Sequence, residues 1–351
     1  AGGDGPVYRP PPPGGHETHL EHISSLPLVT PPGVFGFHEN ANLTKEMGET
    51  YTMMSELLLT AAQGGSSDGA GPDQVVGEIA VDVLARMPSP WSIDKVKAAY
   101  PTMYEESMNT VLAQELTRFN GLIKVIRSSL QDIQKAIKGL LLMSAALEGA
   151  FFEIFDGKTP AMWIKHSYPS LKPLGGYVND LIERLKFFQG WIDHGTPVNF
   201  WFSGIYFQQA FTTGASQNFA RRYRIPIDTL GFDFFFPKDQ HPTVKPDDGV
   251  YAHGMFFEAC KWNWDEWRID ESDPKVLAVS VPLIHLIPCK KDETRDFPHY
   301  ECPCYKVSTR KGVLSTTGHS TNFVMPIRVP SDTSQDHWIK RGVAMLTSLD
   351  T

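Results

Sequence analysis

Apolar residues follow a helical rhythm over roughly the first two-thirds of the chain, then change near Ile225 to short strand-like runs. The clearest series is Leu112, Leu116, Phe119, Ile123, Ile126, Leu130, Ile133, Ile137 and Leu140, spaced alternately four and three residues apart. That spacing draws one apolar seam along a helix, with Arg118, Lys124, Gln131, Asp132 and Lys135 elsewhere on its surface. Such a seam suits a helix in a bundle or a coiled coil with another chain. Neighbouring helices favour the bundle. They are predicted over Leu140–Phe155, Tyr177–Ile192 and roughly Gly204–Arg222, and Tyr177, Leu181, Leu185, Phe188 and Ile192 share a face. Upstream, Asn42 or a neighbour caps a helix through about Thr60, with Leu43, Met47, Met54 and Leu58 on one side. A short helix fits Gln74 to Arg86.

After Ile225 the runs "IPIDTLGFDFFF", "GVYAHGMFFEACKW", "KVLAVSVPLIHLIPC", "YECPCYKVST", "TNFVMPIRVP" and "HWIKRGVAMLTSL" are β-branched or aromatic and separated by Gly, Pro, Asp and Ser. Helices first and strands second predict an α+β fold. The N-terminal part is a helical bundle. The C-terminal part is a small antiparallel β-barrel of about six strands, or a sandwich. No βαβ alternation appears. Residues 1–16 and 64–73 are rich in Pro, Gly and Ser and read as linkers.

The chain has 351 residues, enough for one large domain or two ordinary ones. A net charge of −8 argues against nucleic acid or an anionic membrane as the main partner. The most apolar charge-free run, Val276 to Cys289, is too short to span a bilayer. The longer uncharged run Thr196 to Ala220 is studded with Asn, Gln, Ser and Thr. No signal peptide is visible, and a Gly/Pro-rich start at Ala1 without Met suggests a piece of something larger. Cys260, Cys289, Cys302 and Cys304 are few for such a length and read as buried thiols.

Candidate chemistry is sparse. Gly157-Lys158-Thr159 has the closing letters of a phosphate-binding loop. Phe152 stands where that loop needs its first glycine, a helical run precedes it, and Pro160 follows, so a helix-ending turn is expected. His253, Cys260, His285, Cys289, His299, Cys302 and Cys304 invite a zinc reading, with Cys302 and Cys304 on one strand face. No paired-cysteine knuckle is present, which speaks against a metal. His253 and Cys260 lie seven apart and meet only if their strand breaks. Ser315, His319 and Ser320 lack a nucleophile elbow and read as a hairpin tip around Gly318. Trp262 and Trp264 fall on one strand face if the strand continues that far, and form either an interface patch or core packing. Asn42-Leu43-Thr44 fits a glycosylation pattern but reads better as a helix start.

Longer stretches carry a resemblance. "SYPSLKPLGGYVNDLIERLKFFQGWIDHGTP", "FWFSGIYFQQAFTTGASQNFARRYRIPIDTLGFDF", "GVYAHGMFFEACKW", "PLIHLIPC", "YECPCYKVSTRKGVLSTTGHSTNFV" and "HWIKRGVAMLTSLD" resemble the C-terminal region of dynein heavy chains. "PPGVFGFHENANLTKE" resembles the passage from the last small AAA subdomain of the motor ring into the C-terminal domain. The wording around "FWFSGIYFQQAF" and "PIDTLGFDF" is most similar to axonemal heavy chains of the single-headed inner-arm type. The Gly157 position is similar to a variable turn before the family's P-x-x-W, here Pro160-Ala161-Met162-Trp163. Two departures are the Gly-rich "GGSSDGAGP" and Cys304, where the family often has an aliphatic residue.

The resemblance implies a non-catalytic module of an ATP-driven, minus-end-directed microtubule motor that beats cilia and flagella. It implies residues 1–40 as linker and end of the AAA+ small subdomain, 41–222 as a helical part, and 223–351 as a β-barrel part. The implied partners are the AAA+ ring of the same heavy chain and, through the parent motor, intermediate and light chains and microtubules. ATP and Mg belong to the parent ring, and no cofactor, metal or catalytic residue to this segment. The implied location is the cytoplasm and cytoskeleton, in the axoneme of a cilium or flagellum. Two rival classes are an adaptor binding partners through Trp262 and Trp264, and an enzyme using Cys/His chemistry in the β half.

Overall fold

A computed structural model describes residues 11–26, 28, 30–64, 71–310 and 322–350. In sequence order its helices are α1 (His16–Ser25), α2 (Asn40–Gly64), α3 (Pro72–Arg86), α4 (Ile93–Ala99), α5 (Ser107–Ile137), α6 (Ala145–Phe155), α7 (Ala161–Ile164), α8 (Leu174–His194), α9 (Gln208–Tyr223) and α10 (Gln335–Arg341). The apolar seam lies on α5. Leu112, Leu116, Phe119, Ile123, Ile126, Leu130 and Ile133 are all fully buried, against α3, α4, α6, α7, α8 and α9. The bundle is therefore built within one polypeptide.

Local chemistry sets the ends of these helices. The Glu106 carboxylate accepts the Met108 N–H at the start of α5 (2.9 Å), and Ser144 Oγ accepts the Leu147 N–H at the start of α6 (3.4 Å). Gly139 at φ +71° and Gly157 at φ +70° adopt the left-handed conformation just past α5 and α6. The first stop shortens the predicted seam. Leu140 lies beyond Gly139 and is exposed, and α6 starts at Ala145. Beneath α5, fully buried Trp163 donates from Nε1 to Ser129 Oγ (2.9 Å). The P-x-x-W stretch thus supplies a core anchor.

The strands form three separate sheets among the described residues, and none closes. One contains, in spatial order, β1 (Asn199–Trp201), β3 (Val250–His253), β8 (Ile284–Lys290) and β2 (Leu230–Phe235). The second contains β10 (Phe323–Pro330), β9 (His299–Tyr305), β11 (Ala344–Leu346), β4 (Phe256–Glu258) and β7 (Ala278–Ser280). The third is the hairpin of β5 (Cys260–Asn263) and β6 (Arg268–Glu271). Pairing is parallel between β1 and β3 and between β11 and β9.

The expected antiparallel β-barrel of about six strands is therefore wrong, and the architecture is mixed α/β with open sheets. Backbone breaks explain the difference. "GVYAHGMFFEACKW", read as one strand, turns at Gly254 (φ +92°) and again at Ala259 (φ +64°). Its three pieces, β3, β4 and β5, join three different sheets. A Cβ at Gly254 would overlap the Trp201 indole, so both the turn and the close approach require glycine there. "HWIKRGVAMLTSL" is likewise half helix (α10) and half strand (β11).

Charged side chains tie the sheets together. Buried Asp233 on β2 accepts from Arg328 on β10 (2.9 Å) and from Arg295 Nε. This cluster links the four-stranded sheet to the five-stranded one.

Candidate functional site

Among the described residues, the chemical groups nominated by the sequence do not assemble into one site. Gly157 ends α6 in a turn whose amides return to that helix, Gly157 N–H to Ile154 O (3.0 Å) and Lys158 N–H to Glu153 O (2.8 Å). Lys158 pairs with Asp156 (3.3 Å), and the Glu153 carboxylate takes the Ala161 N–H (2.8 Å). The amide at the start of α7 is thus spent on a carboxylate. The expected helix-ending turn is what forms.

Cys260, Cys302 and Cys304 are buried, the last two on one face of β9 as their spacing predicts. Burial pushes the Cys260 and Cys302 thiols well up and Cys304 up to about 12, so all three stay protonated and are poor nucleophiles or ligands near neutral pH. His253 and Cys260 end up in different sheets, the histidine exposed and the cysteine in the core. His285 Nε2 sits 2.7 Å from Asp248 O and His299 Nδ1 2.6 Å from Phe297 O, both backbone contacts. Cys289 is half-buried. Among the described residues no group of three or more His, Cys, Asp or Glu is placed to hold a metal ion. Ser315, His319 and Ser320 lie outside the described residues.

Trp262 and Trp264 separate. Trp262 is buried on β5, its ring 4.8 Å from Phe236 and 6.3 Å from Phe257 in stacked geometry. The strand ends at Asn263, and Trp264 is 53% exposed at the hairpin tip, edge-on to Trp267. A surface built there uses Trp264 without Trp262.

The candidate docking site lies towards the N-terminal end. Asn40, at the first turn of α2, reaches into the Ser272–Val276 turn. Its Nδ2 donates to Asp273 O (3.0 Å) and Val276 O (2.9 Å), and its Oδ1 accepts the Lys275 N–H (2.7 Å). Lys275 adopts φ +66°, which turns its amide group within the loop. Arg341 on α10 adds a second hook, donating from Nη1 to Gly36 O (3.1 Å) and from Nε to Glu271 (3.2 Å).

Beyond these hooks the α2 residues from Thr44 to Met54 are exposed. Leu43 is half-buried, whereas Met47, Met53 and Met54 are each more than half exposed. Val34, Phe35 and Phe37 just upstream are exposed too. Leu43, Met47 and Met54 lie on one side of the helix, as their spacing predicts; the Leu58 side chain lies outside the described residues. Helical spacing finds this apolar row. Nothing in the sequence near Asn40 points to the turn that it grips about 235 residues later, because a side-chain clamp on a distant loop leaves no periodic trace.

This geometry can be set beside known proteins. Residues 47–347 match the model of the C-terminal domain of the dynein heavy chain. Dynein axonemal heavy chain 3 of Mus musculus is 50% identical over 350 residues, 99% of the present sequence and 8% of that protein. Dynein axonemal heavy chain 12 of Homo sapiens is 47% identical, with 98% of the present sequence and 11% of its own length covered. Dynein axonemal heavy chain 1 of Homo sapiens is 43% identical, with 95% and 8% covered. The 351 residues thus span about a tenth of the length of these relatives. The family model takes in most of the helical part and nearly all of the sheet part, and the present sequence aligns with each of the three relatives over 95–99% of its own length, so this protein belongs to the family of C-terminal domains of dynein heavy chains.

Proposed function

We propose that this protein is the C-terminal module of an axonemal dynein heavy chain, of the single-headed inner-arm type, and that it packs on the AAA+ ring of the same polypeptide. There it tunes the mechanics of a minus-end-directed microtubule motor in the axoneme. ATP and Mg bind in the ring, and this module contributes no catalytic residue or cofactor ligand. Residues 1–40 lead out of the ring, 41–222 form the helical part, and 223–351 form the sheet part. Intermediate and light chains and microtubules are partners of the whole motor.

The observation that carries this reading is α2. An exposed row of methionines on a helix is a surface made for adaptable apolar packing. The Asn40 and Arg341 hooks hold its base against the sheet part. A load on the helix therefore reaches the rest of the module.

The test is a photo-crosslinker placed at Met47 or Met54 in the parent motor, followed by mass spectrometry. Crosslinks to AAA+ modules of the same polypeptide are expected. Crosslinks confined to other polypeptides would make α2 an adaptor surface instead.

A further inference from the structure

Glu115 sits inside α5 and is fully buried. Its two oxygens take the consecutive amides of the segment leading into α9: Oε2 accepts Tyr206 N–H at 2.6 Å and Oε1 accepts Phe207 N–H at 3.1 Å. Arg118, one turn along α5, pairs with Oε1 at 3.1 Å and lies over the Phe207 ring at 5.1 Å.

From the sheet part comes Lys306, the residue that follows β9, also buried. Its Nζ donates to Tyr206 O (3.4 Å) and lies 5.7 Å from the Phe207 ring. Its backbone is fixed within the sheet part, Lys306 N–H to Asn322 O (2.8 Å) and Thr347 Oγ1 to Lys306 O (3.3 Å). The dipeptide Tyr206-Phe207 is thus gripped by the long helix through its amides and by the five-stranded sheet through its carbonyl.

The joint differs in kind from the packing around it. Apolar seam residues lose by exposure to water, whereas a buried carboxylate and ammonium regain hydration. Two arrangements are favourable, closed and dry or open and wet, and a half-open joint with bare charges is costly. We propose that the Glu115–Tyr206–Phe207–Lys306 joint is a built-in yielding point, opening as a unit so that the five-stranded sheet shifts locally against the helical bundle before the apolar core that runs through both gives way. The proposal concerns these 351 residues alone and does not depend on their packing on a ring.

Protonation supplies a signature. Burial lowers Lys306 to about 8, against the opposing pull of Glu115. A lysine whose closed-state pKa lies below its value in water favours closure as pH rises between the two. The opening equilibrium should therefore fall by up to about tenfold per pH unit between about 8 and 10.5. Arg118 on α5 and Arg184 on α8 also face Lys306. Burial pushes Tyr206 and Cys304 up to about 12, so neither titrates there. Burial also raises Glu115, against Arg118 and the two amides, and the variants below separate its contribution.

The test is residue-resolved hydrogen exchange on the full 351-residue protein, from pH 7.5 to 9.5, corrected for intrinsic rates. The Tyr206 and Phe207 amides should open at least tenfold more often than those of Ile123 to Leu130. Their opening should fall with pH in the wild type. In Lys306→Met that pH dependence should vanish, and in Glu115→Gln it should persist while opening becomes more frequent. If the two amides open only together with the α5 seam, the joint is ordinary core and the proposal fails. An unchanged pH slope in Lys306→Met also overturns it. Should either variant fail to fold, the wild-type comparison of the two sets of amides still decides.

Discussion

The helical part and the sheet part are held together in different ways. Around α5 the contacts are apolar side chains in unbroken rows, about 46 Å of helix at 1.5 Å per residue. The sheet part has short strands, several only three residues long, and relies on polar ties at named points: Asp233 with Arg328, Asn40 with the 272–276 turn, and Glu271 with His337 and Arg341. Apolar seams tolerate sliding neighbours of similar size, whereas a polar tie specifies one register and fails when one partner is removed. The comparison predicts how each half breaks.

The largest effect belongs to the seam. Ile126→Asp places an unpaired charge among fully buried neighbours and should cost about 4 kcal/mol or more. Leu140→Asp, beyond the Gly139 stop, should stay within about 0.5 kcal/mol. Denaturant midpoints of both variants check the pair, and equal losses would mean that the seam continues past α5.

Next comes the tie between sheets. Asp233→Ala leaves Arg328, itself mostly buried, without its carboxylate and should cost about 3 kcal/mol. Glu183→Ala, which removes a mostly exposed partner of Lys186, should cost under about 1 kcal/mol. Thermal unfolding of the two variants sharpens the contrast between buried and exposed pairs.

The Asn40 clamp is smaller. Asn40→Ala strands the Lys275 N–H and two carbonyls and should cost about 1–3 kcal/mol. Its more telling readout is local. Proteolysis within α2 should quicken while the sheets stay protected. Smallest in energy but sharpest in contrast is thiol labelling of the native protein. Half-buried Cys289 should react first, and Cys260, Cys302 and Cys304 only on unfolding. Native labelling of Cys302 would mean that the five-stranded sheet opens readily.

The same difference decides what the sequence reveals. The α5 seam is legible because a continuous helix repeats its pattern and every position reports the same face. The interior of α8 is legible for the same reason. The stops at Gly139 and Gly157 are single backbone conformations, and only the second announces itself, through Asp156-Gly157 before Pro160. In the sheet part the runs are visible, but their partners are not. Gly254 and Ala259 redirect the backbone between sheets through φ angles that hydrophobic alternation does not encode. Trp262 and Trp264 go separate ways because the strand stops between them. Glu115 and Lys306 are 191 residues apart, and each looks like a surface residue in its own neighbourhood. Only the fold makes them neighbours of the same dipeptide.

We propose that this module shapes motor mechanics without serving the nucleotide. The most direct measurement is single-molecule force and gliding speed of the parent motor, with Met47→Asp and Met54→Asp introduced together on α2, alongside its ATP turnover. The account predicts altered stall force or speed, with basal turnover changed far less. Unaltered force and speed in a folded, intact motor would contradict it, and so would outright loss of nucleotide binding while the ring stays assembled.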